Sequence, residues 1–211
     1  MRVFTFLKVL VFLFLLVAAI AYLKPYLLRS SVVASVIPTT SSSPGSANPG
    51  SLQIHYSPEE NLEAIDVAYL REARSSIEMY AFSLTDEAII AELKAAGLRG
   101  VTVSLYLDNE QTEDELRRPR LRALLLDLAS TPNVTIRVKH SRILAHTKAY
   151  VVDRGILREG SANFSPSALK EQDNDLLLTN NAGAIRSFGA AFEQSWTRPE
   201  DVGLAQFAQQ F

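Results

Sequence analysis

Between Leu52 and Trp196 the hydrophobic period of the chain switches repeatedly between two and about 3.6, and that alternation restricts the fold more than any other feature. Val101–Leu107 (VTVSLYL) and Val134–Lys139 (VTIRVK) put every second residue on one face, as strands do. Ile77–Phe82, Lys148–Val152, Gly155–Arg158, Leu176–Thr179 and a short Leu52–His55 run are further strand candidates. Helical spacing separates them. Leu62, Ile65, Tyr69 and Leu70 make one apolar face behind a start signal in which Ser57 caps, Pro58 takes the first helical position and Glu60 completes a capping box. Thr85 opens a second helix that stops at Gly97, residues 112–129 form a third interrupted at Pro119, and a final helix runs from about Ala182 to Trp196. Strands alternating with helices predict an α/β/α sandwich around a mixed, largely parallel sheet. No internal repeat is visible.

The residues before this domain are of a different kind. Val9 to Leu23 is a fifteen-residue apolar run, and from Val3 to Leu23 the one charge is Lys8, so the segment spans a bilayer if Lys8 snorkels. Ala19-Ile20-Ala21 also suits signal cleavage. The expected organisation is residues 1–35 as signal or membrane anchor, 36–51 (VIPTTSSSPGSANPGS) as a flexible linker and 52–211 as the folded domain. Either fate of the N-terminus places that domain in the cell envelope, on the periplasmic side in a bacterium.

Charge follows the same division. Arg2, Lys8, Lys24 and Arg29 are the charged residues of the first fifty, so of 21 basic residues 17 remain against 23 acidic ones, a domain charge near −6. Such a domain does not attract polyanions in bulk, and an anion site must be a local patch. With no cysteine, disulfides, thiolate metal sites and cysteine nucleophiles are excluded.

The patch is legible. His146-Thr147-Lys148, then Asp153, then Gly160-Ser161-Ala162-Asn163 follow the pattern H-x-K-x4-D-x6-G-S-x-N. His146 and Lys148 are two apart on a strand and share a face. Gly160–Asn163 lies past a second short strand, where a turn brings a hydroxyl and an amide toward that face, and Ser165-Pro166 opens a helix. An imidazole, an ammonium, an amide and a hydroxyl together suit a tetrahedral oxyanion. Six fixed positions at average residue usage match by chance about once in 10⁷–10⁸ starts. A lone histidine is more often structural than catalytic, and His55 and His140, without such companions, are read as structural or solvent-facing.

This segment resembles the signature of the phospholipase D superfamily. Ala73–Ile77, Tyr80-Ala81-Phe82-Ser83 and Leu98–Val103, ending at Asp108, resemble the opening strand–helix–strand unit of the same family. The layout is similar to members with one motif per chain, among them bacterial periplasmic endonucleases and mitochondrial single-motif enzymes. The resemblance implies that His146 attacks phosphorus to give a phosphohistidine. It implies that Lys148, Ser161 and Asn163 hold the phosphate oxygens, that Asp153 pins the loop, and that no metal or other cofactor takes part. The carboxylate expected behind the imidazole falls in Asp173-Asn174-Asp175-Leu176-Leu177-Leu178-Thr179, with Asp173 the first choice, Asp175 the second and Glu171 the third. If Asn174 holds that position instead, the imidazole is untuned.

Displacement at phosphorus also needs an acid for the leaving oxygen, which two-motif relatives supply from a second histidine. A single-motif chain therefore implies a homodimer with a shared site. Two substrates stay open. Nucleic acid is supported by the single-motif layout and by Arg137, Lys139 and Arg142, which lead into the motif as a basic rim; phospholipid is supported by the membrane tether, the acidic charge and the D-x-D-L-x-L-T stretch. A non-catalytic anion-binding module is the reading from another class, and the intact nucleophile argues against it. Asn163-Phe164-Ser165 and Asn133-Val134-Thr135 are glycosylation sequons, and a glycan on Asn163 would block the pocket, which favours a bacterial envelope.

Overall fold

In the computed structural model of the chain, residues 50–211 are described, so the apolar N-terminal segment and nearly all of the linker lie outside the described residues. In chain order the elements are β1 (Leu52–Ser57), α1 (Leu62–Arg71), β2 (Ser76–Ala81), α2 (Glu87–Leu98), β3 (Thr102–Leu107), α3 (Asn109–Leu116) and α4 (Pro119–Ala129). They continue with β4 (Val134–Val138), β5 (Lys148–Val152), β6 (Ile156–Gly160), α5 (Pro166–Lys170), β7 (Asn174–Thr179), α6 (Ala182–Trp196), β8 (Val202–Gly203) and α7 (Leu204–Phe207), closed by a 3₁₀ turn at Ala208–Gln210. The strands make one sheet in the order β1-β7-β6-β5-β2-β3-β4-β8.

The sheet is mixed, as expected, but it is not largely parallel. Only β2–β3 and β3–β4 run parallel; β1–β7, β7–β6, β6–β5, β5–β2 and β4–β8 are antiparallel. The connections explain the difference. A parallel pair needs a crossover of a dozen or more residues, and only α2 and the α3–α4 pair provide one between adjacent strands. β5 turns into β6 over Asp153-Arg154-Gly155, which leaves room for nothing but a hairpin.

Strand alternation sorts the two layers. Ile77, Met79, Leu105, Ile136, Tyr150 and Leu178 face the main core, where Leu62 and Leu70 of α1, Ile89 and Leu93 of α2 and Leu125 and Leu128 of α4 bury against them. Tyr80, Tyr106, Val151 and Leu157 face the other way and are covered by Ile185, Phe188 and Phe192 of α6. Tyr80 meets the Phe188 and Phe192 rings edge to face, at centroid distances of 5.7 and 5.1 Å.

Several helix signals sit elsewhere than their sequence suggests. Ser57 ends β1, its hydroxyl donating to the carbonyls of Gln172 and Ala168, and Asn61 is the cap of α1. Asp86 rather than Thr85 caps α2, through the N–H groups of Ala88 and Ile89. Gly97 does not stop α2. It lies inside the helix, where a Cβ would come within 2.6 Å of Val134 Cγ2, and the residue with left-handed backbone is Gly100, at φ +94°. Pro119 does break the third helical stretch, into α3 and α4.

Candidate active site

The C-terminal ends of β2 and β3 and the start of β5 meet at one edge of the sheet, and the motif gathers there. Phe82, the residue after β2, is its floor. The His146 ring stands against the Phe82 ring with centroids 4.4 Å apart and planes inclined at 61°. Lys148 Nζ lies 4.6 Å from the centroid of the same ring and donates to the His146 carbonyl oxygen at 2.7 Å. One aromatic side chain therefore seats both the nucleophile candidate and the cation beside it. Lys148 is buried, His146 exposed. Burial pushes the Lys148 ammonium below its usual range, and the charge of Asp108 opposes that shift.

Asp108 holds the approach to His146. It follows β3, is buried, and caps α3 by accepting from Gln111 N–H at 3.2 Å through Oδ1. Its Oδ2 accepts the Ala145 N–H at 2.7 Å and so fixes the residue before the histidine. Nearby, Glu115 of α3 accepts from the Ser83 hydroxyl and the Leu84 N–H, both at 2.9 Å, and tethers the chain just beyond Phe82. Burial pushes the Glu115 carboxyl up to about 7.

The second half of the motif begins at the end of β6, the strand paired with β5. Gly160 lets β6 and β7 approach: a Cβ there would lie 2.3 Å from the Asp175 carbonyl oxygen. The Ser161 hydroxyl donates to Asn174 Oδ1 at 3.1 Å and accepts from Asp175 N–H at 3.0 Å. Among the described residues, Asn163 Oδ1 is a buried acceptor that makes no hydrogen bond. Phe164 then locks this loop to the Phe82 loop, its N–H donating to Ser83 O at 3.2 Å and its carbonyl accepting from the Thr85 and Asp86 N–H groups at 2.9 Å.

What joins the halves is Arg158, fully buried in β6. Its Nε and Nη2 each donate to Asp66 at 3.1 Å, Nη1 donates to the Lys148 carbonyl at 2.8 Å, and Nη1 and Nη2 both reach the Ala162 carbonyl at 3.4 Å. Tyr150 donates its hydroxyl to Asp66 at 2.9 Å. A guanidinium thus bridges the backbone of the H-x-K strand to that of the G-S-x-N loop. Nothing local in the sequence marks Arg158 for this, because its carboxylate partner is 92 residues away.

The remaining expected residues are placed as follows. Asp153, at φ +52°, accepts from the N–H groups of Arg74, Ser75 and Ser76 and from the Ser75 hydroxyl. Although burial pushes its carboxyl up, those donors hold it below the usual carboxylate range. Asp173 is exposed and lines a separate depression with Tyr56, Ser57, Glu59, Asn174 and Asp175. Asp175 Oδ1 accepts the Ser161 N–H at 3.3 Å, and Glu171 is exposed. The stretch 173–175 therefore engages the Ser161 loop through Asn174 and Asp175. Of the basic lead-in, Arg137 is turned inward, donating to the carbonyls of Arg198 and Asp201, while Lys139 lines a cavity with His146 and Arg142 is exposed. Arg117 and Arg120 are paired with Glu113 and Glu87. That cavity, of about 530 Å³, lies between the sheet and α6.

A buried ammonium bonded to the carbonyl of an exposed histidine, both seated on one aromatic ring at the end of a mixed sheet, suits a phosphate-like anion. Comparison with known proteins identifies the family. The family profile described as "Cardiolipin synthase, PLD-like domain" matches residues 67–196, and the chain belongs to the phospholipase D superfamily. A phospholipase D of Rickettsia bellii is 29% identical over 118 residues, 55% of this chain and 54% of that protein. The mitochondrial cardiolipin hydrolase of Mus musculus is 23% identical, over 65% of this chain and 59% of its own length. The chain thus spans little more than half the length of these curated relatives. Among solved structures, the phospholipase D family member Nuc of Salmonella typhimurium superposes with a TM-score of 0.65 at 24% identity, covering 73% of this chain and 97% of Nuc. NucT of Helicobacter pylori does so at 0.63, 21%, 73% and 99%.

Proposed function

We propose that this protein hydrolyses phosphodiester bonds through a covalent His146 intermediate and that its substrate is nucleic acid. The observation that carries the reading is the pairing of His146 and Lys148 on the Phe82 ring. The imidazole attacks phosphorus and expels an alkoxide; water then attacks the phosphohistidine and frees the imidazole. Lys148 meets the charge that grows on the non-bridging oxygens, and the Asn163 amide donates beside it. Ser161, its hydroxyl already committed to Asn174, acts by holding the loop. Asp173 remains the proposed partner of the imidazole only if the loop before β7 swings toward it.

A leaving alkoxide needs a proton. A second copy of the chain, related by a two-fold axis beside the site, supplies it from its own His146, so the working unit is a homodimer with one shared site. The N-terminal apolar run tethers that dimer to a membrane of the cell envelope. Nucleic acid is supported by Lys139, which lines the cavity with His146, and by the exposed Arg142 of the lead-in. Phospholipid is the second reading, supported by the similarity to a phospholipase D and a cardiolipin hydrolase and by the exposed Ile143 and Leu144 just before His146.

Incubating the protein with single-stranded DNA and with phosphatidylcholine vesicles, both in EDTA, separates the substrates. Cleavage of the vesicle lipid with intact DNA would overturn the nucleic-acid reading. His146→Asn is expected to lose more than a hundredfold in turnover, since removing a covalent nucleophile costs several powers of ten. A binding module would show no turnover to lose. Heterodimers of wild type with His146→Asn are expected to lose multiple turnover; half the wild-type rate would refute the shared site.

A further inference from the structure

The geometry points to a second anion subsite, built by Lys139 and Arg198, that takes the phosphate next to the scissile one along a nucleic-acid strand. It rests on the phosphodiesterase reading above and extends it into the cavity between the sheet and α6. Lys139, one residue past β4, and Arg198, two residues past α6, both line that cavity, and so does His146.

Lys139 is only 7% exposed. Among the described residues, the one hydrogen-bond partner of its ammonium is the Leu144 carbonyl at 3.5 Å, beyond the usual N–H···O range of 2.7–3.2 Å. Among the described residues neither Lys139 nor Arg198 enters an ion pair. A buried ammonium without a counter-charge is costly, and this domain carries more carboxylates than cations, so acidic partners are not in short supply.

Arg198 is anchored rather than loose. Its carbonyl accepts from Arg137 at 2.7 Å, and its Nη1 donates to the Tyr106 hydroxyl at 3.2 Å. The carboxylate whose charge acts on it, Asp201, is occupied by the Tyr106 hydroxyl at 2.5 Å and the His140 N–H at 2.9 Å. Glu159 also lines the cavity, but it is exposed and pairs with neither cation. Two cations without a direct carboxylate contact thus face one space that opens on the nucleophile, Asp201 reaching Arg198 only through the Tyr106 hydroxyl. A guanidinium fork beside an ammonium is suited to phosphate oxygens. Leu144, Leu157 and Phe188 line the same space and offer apolar surface to a sugar and base. At about 530 Å³ the cavity holds far more than one phosphate.

The test measures binding without turnover. The full chain carrying His146→Asn is titrated calorimetrically with thymidylyl-thymidine and with the same dinucleotide bearing a 5′- or a 3′-terminal phosphate. One phosphorylated form is expected to bind at least tenfold more tightly than the unphosphorylated one. Adding Lys139→Met and Arg198→Gln together is expected to erase that difference. Equal affinity for all three dinucleotides, or a difference that survives both substitutions, overturns the subsite. Thermal melting checks that the combined variant is folded; if it is not, Arg198→Gln alone must reduce the difference at least threefold, and its full retention overturns the proposal. Wild-type hydrolysis of bis(4-nitrophenyl) phosphate, which has one phosphate, separates the two levels. Hydrolysis with no terminal-phosphate effect sinks the subsite alone, whereas a terminal-phosphate effect with no hydrolysis sinks the catalytic reading and leaves the subsite standing.

Discussion

Replacing Arg158 with Met tests the link between the two halves of the motif. The substitution keeps the length of the aliphatic stem and removes the guanidinium, leaving the Asp66 carboxylate fully buried with the Tyr150 hydroxyl as its remaining donor. Stripping one partner from a buried ion pair costs about 3–5 kcal/mol. For a domain of this size that lowers the melting temperature by about 6–20 °C, at about 2–4 °C per kcal/mol. The pH dependence has a definite sign. Burial already pushes the Asp66 carboxyl up, and Arg158 holds it back. Without Arg158 the folded value rises further, so the deficit is largest at neutral pH and shrinks as pH falls toward about 4, where the unfolded Asp also takes a proton. Asp66→Asn combined with Arg158→Met removes the stranded charge and is expected to return most of the stability. It does not return the bonds to the Lys148 and Ala162 carbonyls, so turnover stays at least tenfold low. Urea unfolding at pH 5 and pH 8, with rates on the same samples, reads all of this. A single variant within 1 kcal/mol of wild type at pH 8, a deficit independent of pH, or a double variant no more stable than the single would refute the reasoning.

Three further outcomes are expected. Because the folded Glu115 carboxyl is raised to about 7, its contribution to stability is fully present below pH 4 to 5 and is lost as pH rises through 7, by on the order of 3 kcal/mol; Glu115→Gln should flatten that decline, and an unchanged slope in urea titrations would count against it. Asp153 has the opposite sign, its depressed value giving stability above about pH 4 that is lost as pH falls through the folded value; Asp153→Asn should cost about 2 kcal/mol at pH 7 and progressively less on acidification, as denaturant midpoints would show. Hydrolysis should persist in excess EDTA, since Lys148 supplies the positive charge at the phosphate; an activity lost to chelator and restored by Mg²⁺ or Zn²⁺ would contradict the mechanism.

The motif was readable from the sequence because it is local: His146, Lys148 and the turn at Asp153 follow one another along a strand and its hairpin. Strand positions were readable for the same reason, but strand direction was not. Period-two alternation is identical in parallel and antiparallel strands, and only the lengths of the connections distinguish them. Caps were misplaced where two capable residues stand close together. Ser57 and Asn61 are both good caps, and Ser57 was drawn away by carbonyls of Ala168 and Gln172, which are over a hundred positions distant. The same distance hid Arg158, an arginine in mid-strand that becomes intelligible only once Asp66 is set beside it. Lys139 was visible as one of a basic run, yet its partner in the cavity, Arg198, lies 59 positions on and belongs to a different element.

The β5–β6 hairpin turns the spacing of the motif into a length. Its register sets Tyr150 against Arg158, Val151 against Leu157 and Val152 against Ile156, and Asp153 nails its tip to the 74–76 turn. The four residues from Lys148 to Asp153 are one arm of a ruler, and the six from Asp153 to Gly160 are the bend and the returning arm. Adding one residue within either arm would reverse the faces beyond it, swinging Arg158 from Asp66 toward α6 and carrying the G-S-x-N loop off the cation. Extra residues at the bend would leave both arms in register so long as Asp153 kept its place on the turn. Chain length in this stretch is therefore under the same constraint as residue identity, and a gap of the wrong size would disable the site with all six motif residues present.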